Sequence, residues 1–157
     1  MVTSCAALGL ASVLKPLPLL VWNASASVPV GLYAVSSGTP PKVRDLVLVR
    51  LPEDARRLAS GRRYLPFDTP AIKRVVAADG DLVCTVNRAI YINGRRRVDA
   101  LRRDSQGRVL RPWKGCSRLT GDQIFLLNDA PASFDGRYFG PSSRTDVIGV
   151  LTPLWTF

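Results

Sequence analysis

The chain has 157 residues and carries 22 Lys and Arg against 12 Asp and Glu, a formal charge of +10, with no histidine. Without histidine there is no Ser-His-Asp triad, no Cys-His nucleophile pair and no histidine metal site. Acid–base chemistry therefore falls to Lys, Asp, Tyr, the single Glu53 or water.

Residues 1–22 begin with an uncharged run, "CAALGLASVL", continue through Lys15, Pro16 and Pro18, and end in "LLVW". A spanning helix needs about 20 apolar residues, and Lys and two prolines interrupt this stretch. It reads as an export or membrane-targeting segment, against the alternative of a buried amino-terminal strand or helix. Residues 23–157 then form one domain, because no linker divides them. The 12 Pro and 12 Gly favour turns and short strands over a helical bundle.

Within that domain, "VGLYAVSS" (30–37) predicts a strand ended by "GTPPK". "DLVLVRL" (45–51) predicts a buried strand. Pro52, Glu53 and Asp54 open a short helix through "ARRLAS" that stops at Gly61. "AIKRVVAA" (71–78) predicts a strand, "DGD" a turn, and "LVCTV" (82–86) another strand. In "AIYINGRRRV", Asn93-Gly94 predicts a type I′ hairpin. Residues 100–120 are polar and rich in Arg and Gly, and read as an excursion or long hairpin. "DQIFLLN" and "DVIGVLTPLW" predict the last strands. Seven or so strands and one short helix give a mainly β fold, with antiparallel strands in two packed sheets or a partly closed barrel.

Of the three cysteines, Cys5, Cys84 and Cys116, none forms a CxxC pair, which argues against zinc. Cys84 and Cys116 are either a disulfide, worth about 3–4 kcal/mol by chain entropy, or two separate buried thiols. Export to an oxidising compartment favours the bridge. Of the 22 basic residues, 21 lie between Lys42 and Arg144. They interleave with short apolar strands and read as a solvated basic face. No helix-turn-helix, zinc spacing or RNA-binding signature points to nucleic acid.

Three segments carry candidate chemistry. In "WNASASVPVGLYAV", Val28 precedes a proline and is held extended, which displays the Ser27 hydroxyl beside a strand. In "AIKRVVAADGD", strand alternation puts Ala71, Lys73 and Val75 on one face and Arg74 on the other. An amine on an apolar face is desolvated and its pKa falls, so it can accept a serine proton. In "SFDGRYFGP", Ser133, Asp135 and Arg137 share a tight turn, where Asp135 and Arg137 can pair and Ser133 can orient an amine. Taken singly, the segments read as ordinary loop polars, a snorkelling lysine and a packed turn.

Taken together and in this order, the segments resemble the signal peptidase I-like (S26) serine peptidases, which use a Ser/Lys dyad. Within them the likeness is to the TraF-type conjugal transfer peptidases, whose nucleophile segment reads N-S-x-S-x-P-x-G-x-Y. Here Asn23, Ser25, Ser27, Pro29, Gly31 and Tyr33 match, with Ala24 between Asn23 and Ser25. General signal peptidases have Met after the nucleophile, whereas this chain has Val28, as suits the conjugative branch. The resemblance implies Ser27 as nucleophile, Lys73 as general base, and Ser25 with the Ser27 N–H as oxyanion hole. It implies Ser133 as the residue positioning the lysine and Asp135 with Arg137 as a supporting pair. It also implies a signal-peptidase-like β fold, no cofactor or metal, and a periplasmic site at the inner membrane surface. The implied substrate is a conjugative pilin precursor, either cut or cut and cyclised in support of plasmid transfer, with no direct contact to nucleic acid. A general leader peptidase for secretory preproteins and a non-enzymatic basic scaffold of the transfer apparatus are the other readings.

Overall fold

The computed structural model describes residues 19–157. The expected targeting segment 1–22 therefore falls mostly outside the described residues. Its last residues belong to an edge strand, β1 (Leu20–Asn23), which pairs antiparallel with β2 (Gly31–Ser36) from Leu20↔Ala34 to Asn23↔Gly31. Among the described residues, no helix is long and apolar enough to cross a membrane.

The larger sheet holds seven strands in the order β1-β2-β11-β3-β4-β9-β10. Here β3 is Leu46–Val49, β4 Ala71–Ala77, β9 Gln123–Leu127, β10 Ser142–Ser143 and β11 Val147–Thr156. The smaller sheet holds β7 (Arg95–Asp99), β6 (Ala89–Ile92), β5 (Leu82–Val86) and β8 (Gly115–Arg118), in that order. All paired strands are antiparallel. Asn93 and Gly94 both take positive φ, 50° and 76°, as a tight β6–β7 hairpin requires.

Helix α1 (Glu53–Gly61) follows Pro52, carries Glu53 and Asp54 in its first turn, and buries Ala55 and Ala59 one turn apart. A second, one-turn helix, α2 (Gly136–Phe139), starts at Asp135, whose side chain accepts the Arg137 N–H. The mainly β, two-sheet expectation matches this architecture. The strands beyond the expected seven or so are short edges with little pattern to read: β1, the polar β8 and the two-residue β10.

Three apolar clusters hold the domain. Ala77, Phe125 and Leu127 of the larger sheet pack with Val83, Ile90 and Ile92 of the smaller one. Val47, Val49, Val75 and Leu126 pack with Ala55 of α1. Val28, Tyr33, Leu48 and Leu151 form the third cluster, directly beneath the loop that follows β1.

Cys84 and Cys116 are register partners on β5 and β8, and a disulfide joins them across 32 positions of sequence. Cys84→Ser is expected to lower the unfolding free energy of oxidised protein by about 3–4 kcal/mol and to leave that of reduced protein unchanged. Paired urea titrations with and without reductant check this, and an equal loss in both would show that packing, not the bond, carries the effect.

Candidate active site

The β1–β2 connection is a hairpin whose loop, residues 24–30, carries Ser25, Ser27 and Pro29. Asn23, buried at the end of β1, ties this loop down. Its Nδ2 donates to the carbonyls of Ser25, Val28 and Pro29 at 2.8, 3.1 and 3.0 Å, and its Oδ1 accepts the Ser25 N–H at 3.0 Å. Tyr33, buried on β2, donates its hydroxyl to the Pro29 carbonyl at 2.6 Å. Val28 drops into the core beneath. The side chain before it, Ser27, is left half-buried at the surface. Its Oγ lies 3.0 Å from Ser25 Oγ, and its N–H donates to Ser25 Oγ at 3.3 Å.

Gly31 closes the hairpin where β11 crosses. A Cβ there would sit 2.0 Å from the Trp155 carbonyl oxygen. Only glycine lets the two backbones approach so closely.

Lys73 lies on β4, where burial alternates so that Ala71, Lys73, Val75 and Ala77 are buried and Arg74 is not. Among the described residues no carboxylate lies within ion-pair distance of its amine, and Nζ donates to Ser133 Oγ at 3.0 Å. Burial is the main cause that pulls its pKa down from 10.5 to about 8. The Asp135 carboxylate pushes the other way, and the Arg137 guanidinium, the smallest of the three causes, adds to the fall.

Ser133 is held by the turn that follows β9. That turn is closed by Asp135 and Arg137, both fully buried. Arg137 Nε and Nη2 donate to the two carboxylate oxygens at 2.8 and 3.0 Å. Its remaining donors reach the carbonyls of Asn128 and Pro131 at 2.7 and 3.0 Å. The guanidinium thus bonds both ends of the turn and fixes where Ser133 sits.

Ser25, Ser27, Lys73 and Ser133 line one groove of about 710 Å³, with apolar walls that include Leu48, Ile72 and Phe134. Lys73 hydrogen-bonds Ser133 and makes no direct bond to Ser27. A second hollow of about 370 Å³ beside Pro41 and Arg144 is lined by neither serine nor lysine. Among the described residues, no cluster of His, Cys, Asp or Glu suits a metal ion. The groove therefore offers a hydroxyl, a desolvated amine with a shifted pKa, and backbone and hydroxyl donors beside it. Such a set can run acyl transfer.

Sequence reasoning did not single out Asn128. It ends the apolar run "QIFLL", and its Nδ2 reaches Ser27 Oγ at 3.3 Å. The sequence itself marks it only as an amide that ends an apolar run a few residues before the turn "SFDGR". The anchoring by Asn23 was likewise legible only as a motif match.

Residues 1–155 match the family described as "Signal peptidase, peptidase S26". The chain is similar to a plasmid transfer protein TraF of Escherichia coli, 33% identical over 148 residues, covering 86% of this chain and 82% of that protein. It is also similar to a conjugal transfer protein TraF of Agrobacterium fabrum, 34% identical over 147 residues, covering 86% and 81%. A solved signal peptidase I of Enterococcus faecalis aligns with a TM-score of 0.43 at 22% identity, over 73% of this chain and 98% of that one.

Proposed function

The chain belongs to the signal peptidase, peptidase S26, family of serine peptidases, and on that premise we propose that it is a Ser27/Lys73 endopeptidase that matures a conjugative pilin precursor at the periplasmic face of the inner membrane. The observation that carries this reading is the desolvated Lys73 amine in the same groove as the Ser27 hydroxyl.

An unprotonated Lys73 Nζ takes the Ser27 proton as Oγ adds to the scissile carbonyl carbon. The oxyanion is received by the Ser25 hydroxyl and the Ser27 N–H, which face each other in the resting site. Losing one such donor typically costs about 10²–10³ in rate. The intermediate collapses, the C–N bond breaks, and the Lys73 ammonium returns its proton to the departing amine. The resulting Ser27 ester is resolved by water or by the substrate's own amino terminus. Lys73 accepts a proton from that nucleophile and hands it back to Ser27 Oγ. Ser133 holds the amine on this path, and the Asp135–Arg137 pair holds Ser133. The Lys73–Ser27 contact forms when substrate fills the groove, since resting-state catalytic geometry is often loose.

The pilin substrate is supported by the similarity to TraF proteins. Membrane placement is supported by an exposed aromatic cluster beside the groove. Trp22, Trp155 and Phe157 are 53%, 61% and 72% exposed. Phe157 lies 6.4 Å from Trp22 and 4.8 Å from Trp155. Indole rings favour the headgroup region, and the +10 charge favours anionic lipid.

The test is incubation with a purified pilin precursor, read by intact mass, with Ser27→Ala as control. A shortened product that Ser27→Ala does not make is expected, and a ring is lighter than the linear product by one water. An uncut pilin precursor beside a cleaved secretory preprotein would favour the general leader peptidase. Cleavage by Ser27→Ala would reject the nucleophile.

A further inference from the structure

Asn128 is 3% exposed and follows the last residue of β9. β4 and β9 pair with Arg74 opposite Leu127 and Val75 opposite Leu126. Continuing that register sets Asn128 opposite Lys73, where the strand has already ended. There the Asn128 side chain replaces the missing main-chain rungs. Its Oδ1 accepts the Arg74 N–H at 3.1 Å, and its Nδ2 donates to the Ile72 carbonyl at 3.1 Å. The residues on both sides of Lys73 are therefore held by one amide group.

These two bonds settle which way the amide points. A backbone N–H can only donate and a carbonyl can only accept, so a flipped amide would set like against like at both contacts. Nδ2 has a second hydrogen, and the remaining polar atom within reach is Ser27 Oγ, at 3.3 Å. Because an amide nitrogen cannot accept, Ser27 Oγ is the acceptor there. Its own proton stays free for another partner. The main chain of Asn128 is fixed as well. Its N–H donates to Asp135 Oδ2 at 3.0 Å, and its carbonyl accepts from Arg137 Nη2 at 2.7 Å.

We propose that Asn128 is a further functional residue of the site: it positions the Lys73 strand and donates a hydrogen bond to the Ser27 oxygen as that oxygen loses its proton. The proposal rests on Ser27 being the nucleophile. As the O–H proton passes to the Lys73 amine, negative charge builds on Oγ, and the Nδ2–H bond strengthens. Once Oγ becomes an ester oxygen, a weak acceptor, the bond relaxes. The interaction is thus worth most in the transition state, the condition for raising kcat.

The test uses the full chain and an internally quenched peptide spanning the processing site of the pilin precursor, with kcat and KM measured from pH 6 to 10. Asn128→Asp keeps the shape and removes both donors. Its kcat is expected to fall about 10- to 100-fold, the loss of one hydrogen bond to a charged acceptor, with KM little changed. The new carboxylate beside Lys73 favours the ammonium form, so the alkaline rise in kcat moves to higher pH. Asn128→Ala is expected to lose a similar factor without that displacement. A residue that served only the fold would raise KM or lower the folded fraction and leave the pH profile in place. A folded Asn128→Asp with wild-type kcat and profile, beside an inactive Ser27→Ala, overturns the proposal while the nucleophile stands. An active Ser27→Ala overturns both.

A spectroscopic readout covers the case in which neither Asn128 variant folds. In ¹⁵N-labelled protein, Ser27→Ala should shift one Asn128 side-chain amide proton and spare the one facing Ile72. Two unmoved protons would refute the contact.

Discussion

Lys73→Met is expected to lower kcat/KM by about 10²- to 10⁴-fold, the usual worth of a positioned general base, without unfolding the protein. Methionine fills the same slot without an amine, so the apolar packing around β4 survives. The wild-type profile should rise about tenfold per pH unit below pH 8 and level off above it, because the Lys73 amine titrates at about 8. With no histidine in the chain, no imidazole confuses that range. A wild-type profile that is flat from pH 6 to 10 would assign the proton to another group.

The same shift has a stability consequence of determined sign. Burial lowers the folded-state pKa of Lys73 below its unfolded value, from 10.5 to about 8. Between these values the unfolded chain binds the extra proton, so stability rises with pH across that window. Below about pH 8 the protein carries the cost of a buried ammonium, on the order of 3 kcal/mol. Lys73→Met removes that cost. Its stability relative to wild type should be greatest near neutral pH and shrink as pH climbs towards 10.

Arg137→Ala is expected to destabilise the fold by about 3–5 kcal/mol, because it leaves a fully desolvated carboxylate without its partner. Asp135 and Arg137 are each 0% exposed. The guanidinium also satisfies the carbonyls of Asn128 and Pro131, which would lose their donors together. At this chain length the loss corresponds to a fall in Tm of about 10 °C or more. Replacing both partners by apolar residues of similar size should cost less than the single change. Residual activity of Arg137→Ala should have its alkaline rise at higher pH, since the guanidinium helps keep Lys73 neutral. Chemical denaturation and a pH–rate profile check the two parts. A loss under about 1 kcal/mol would mean that water satisfies Asp135, and that the pair is not sealed as the structure has it.

Local pattern made most of the scaffold legible. The two-residue period of a strand sets Lys73 of "AIKRVVA" on the face of Ala71 and Val75, and burial along β4 follows it. Glu53, Asp54 and Gly61 bound a helix because acids and glycine have distinct preferences at its two ends. Asn93-Gly94 forces a turn because both residues tolerate positive φ. What stayed hidden depends on partners distant in sequence. Asn128 matters because β9 happens to end opposite Lys73, and nothing in "QIFLLN" carries that register. β1 is hidden because "LLVW" continues an apolar run and only its pairing with β2 defines it. The excursion at 100–120 contains β8 and a bridge between Arg103 and Val109. Its Arg- and Gly-rich composition has no period to betray either. The likeness to a family carried the grouping of Ser27, Lys73 and Ser133, since each segment alone reads as ordinary structure.

The clamp that Asn23 places on its loop also sets a length. Trp22 is exposed beside Phe157, and Ser27 follows five positions later on a loop bonded back to Asn23 at three carbonyls. No slack separates the aromatic end of the domain from the serine. If that end rests on lipid, the hydroxyl rides at one fixed height above it, like the blade of a marking gauge. Bonds of a membrane-held polypeptide would then be chosen first by altitude and only afterwards by side chain. Lengthening the 24–30 loop by two glycines should blur the position of the cut before it abolishes cutting.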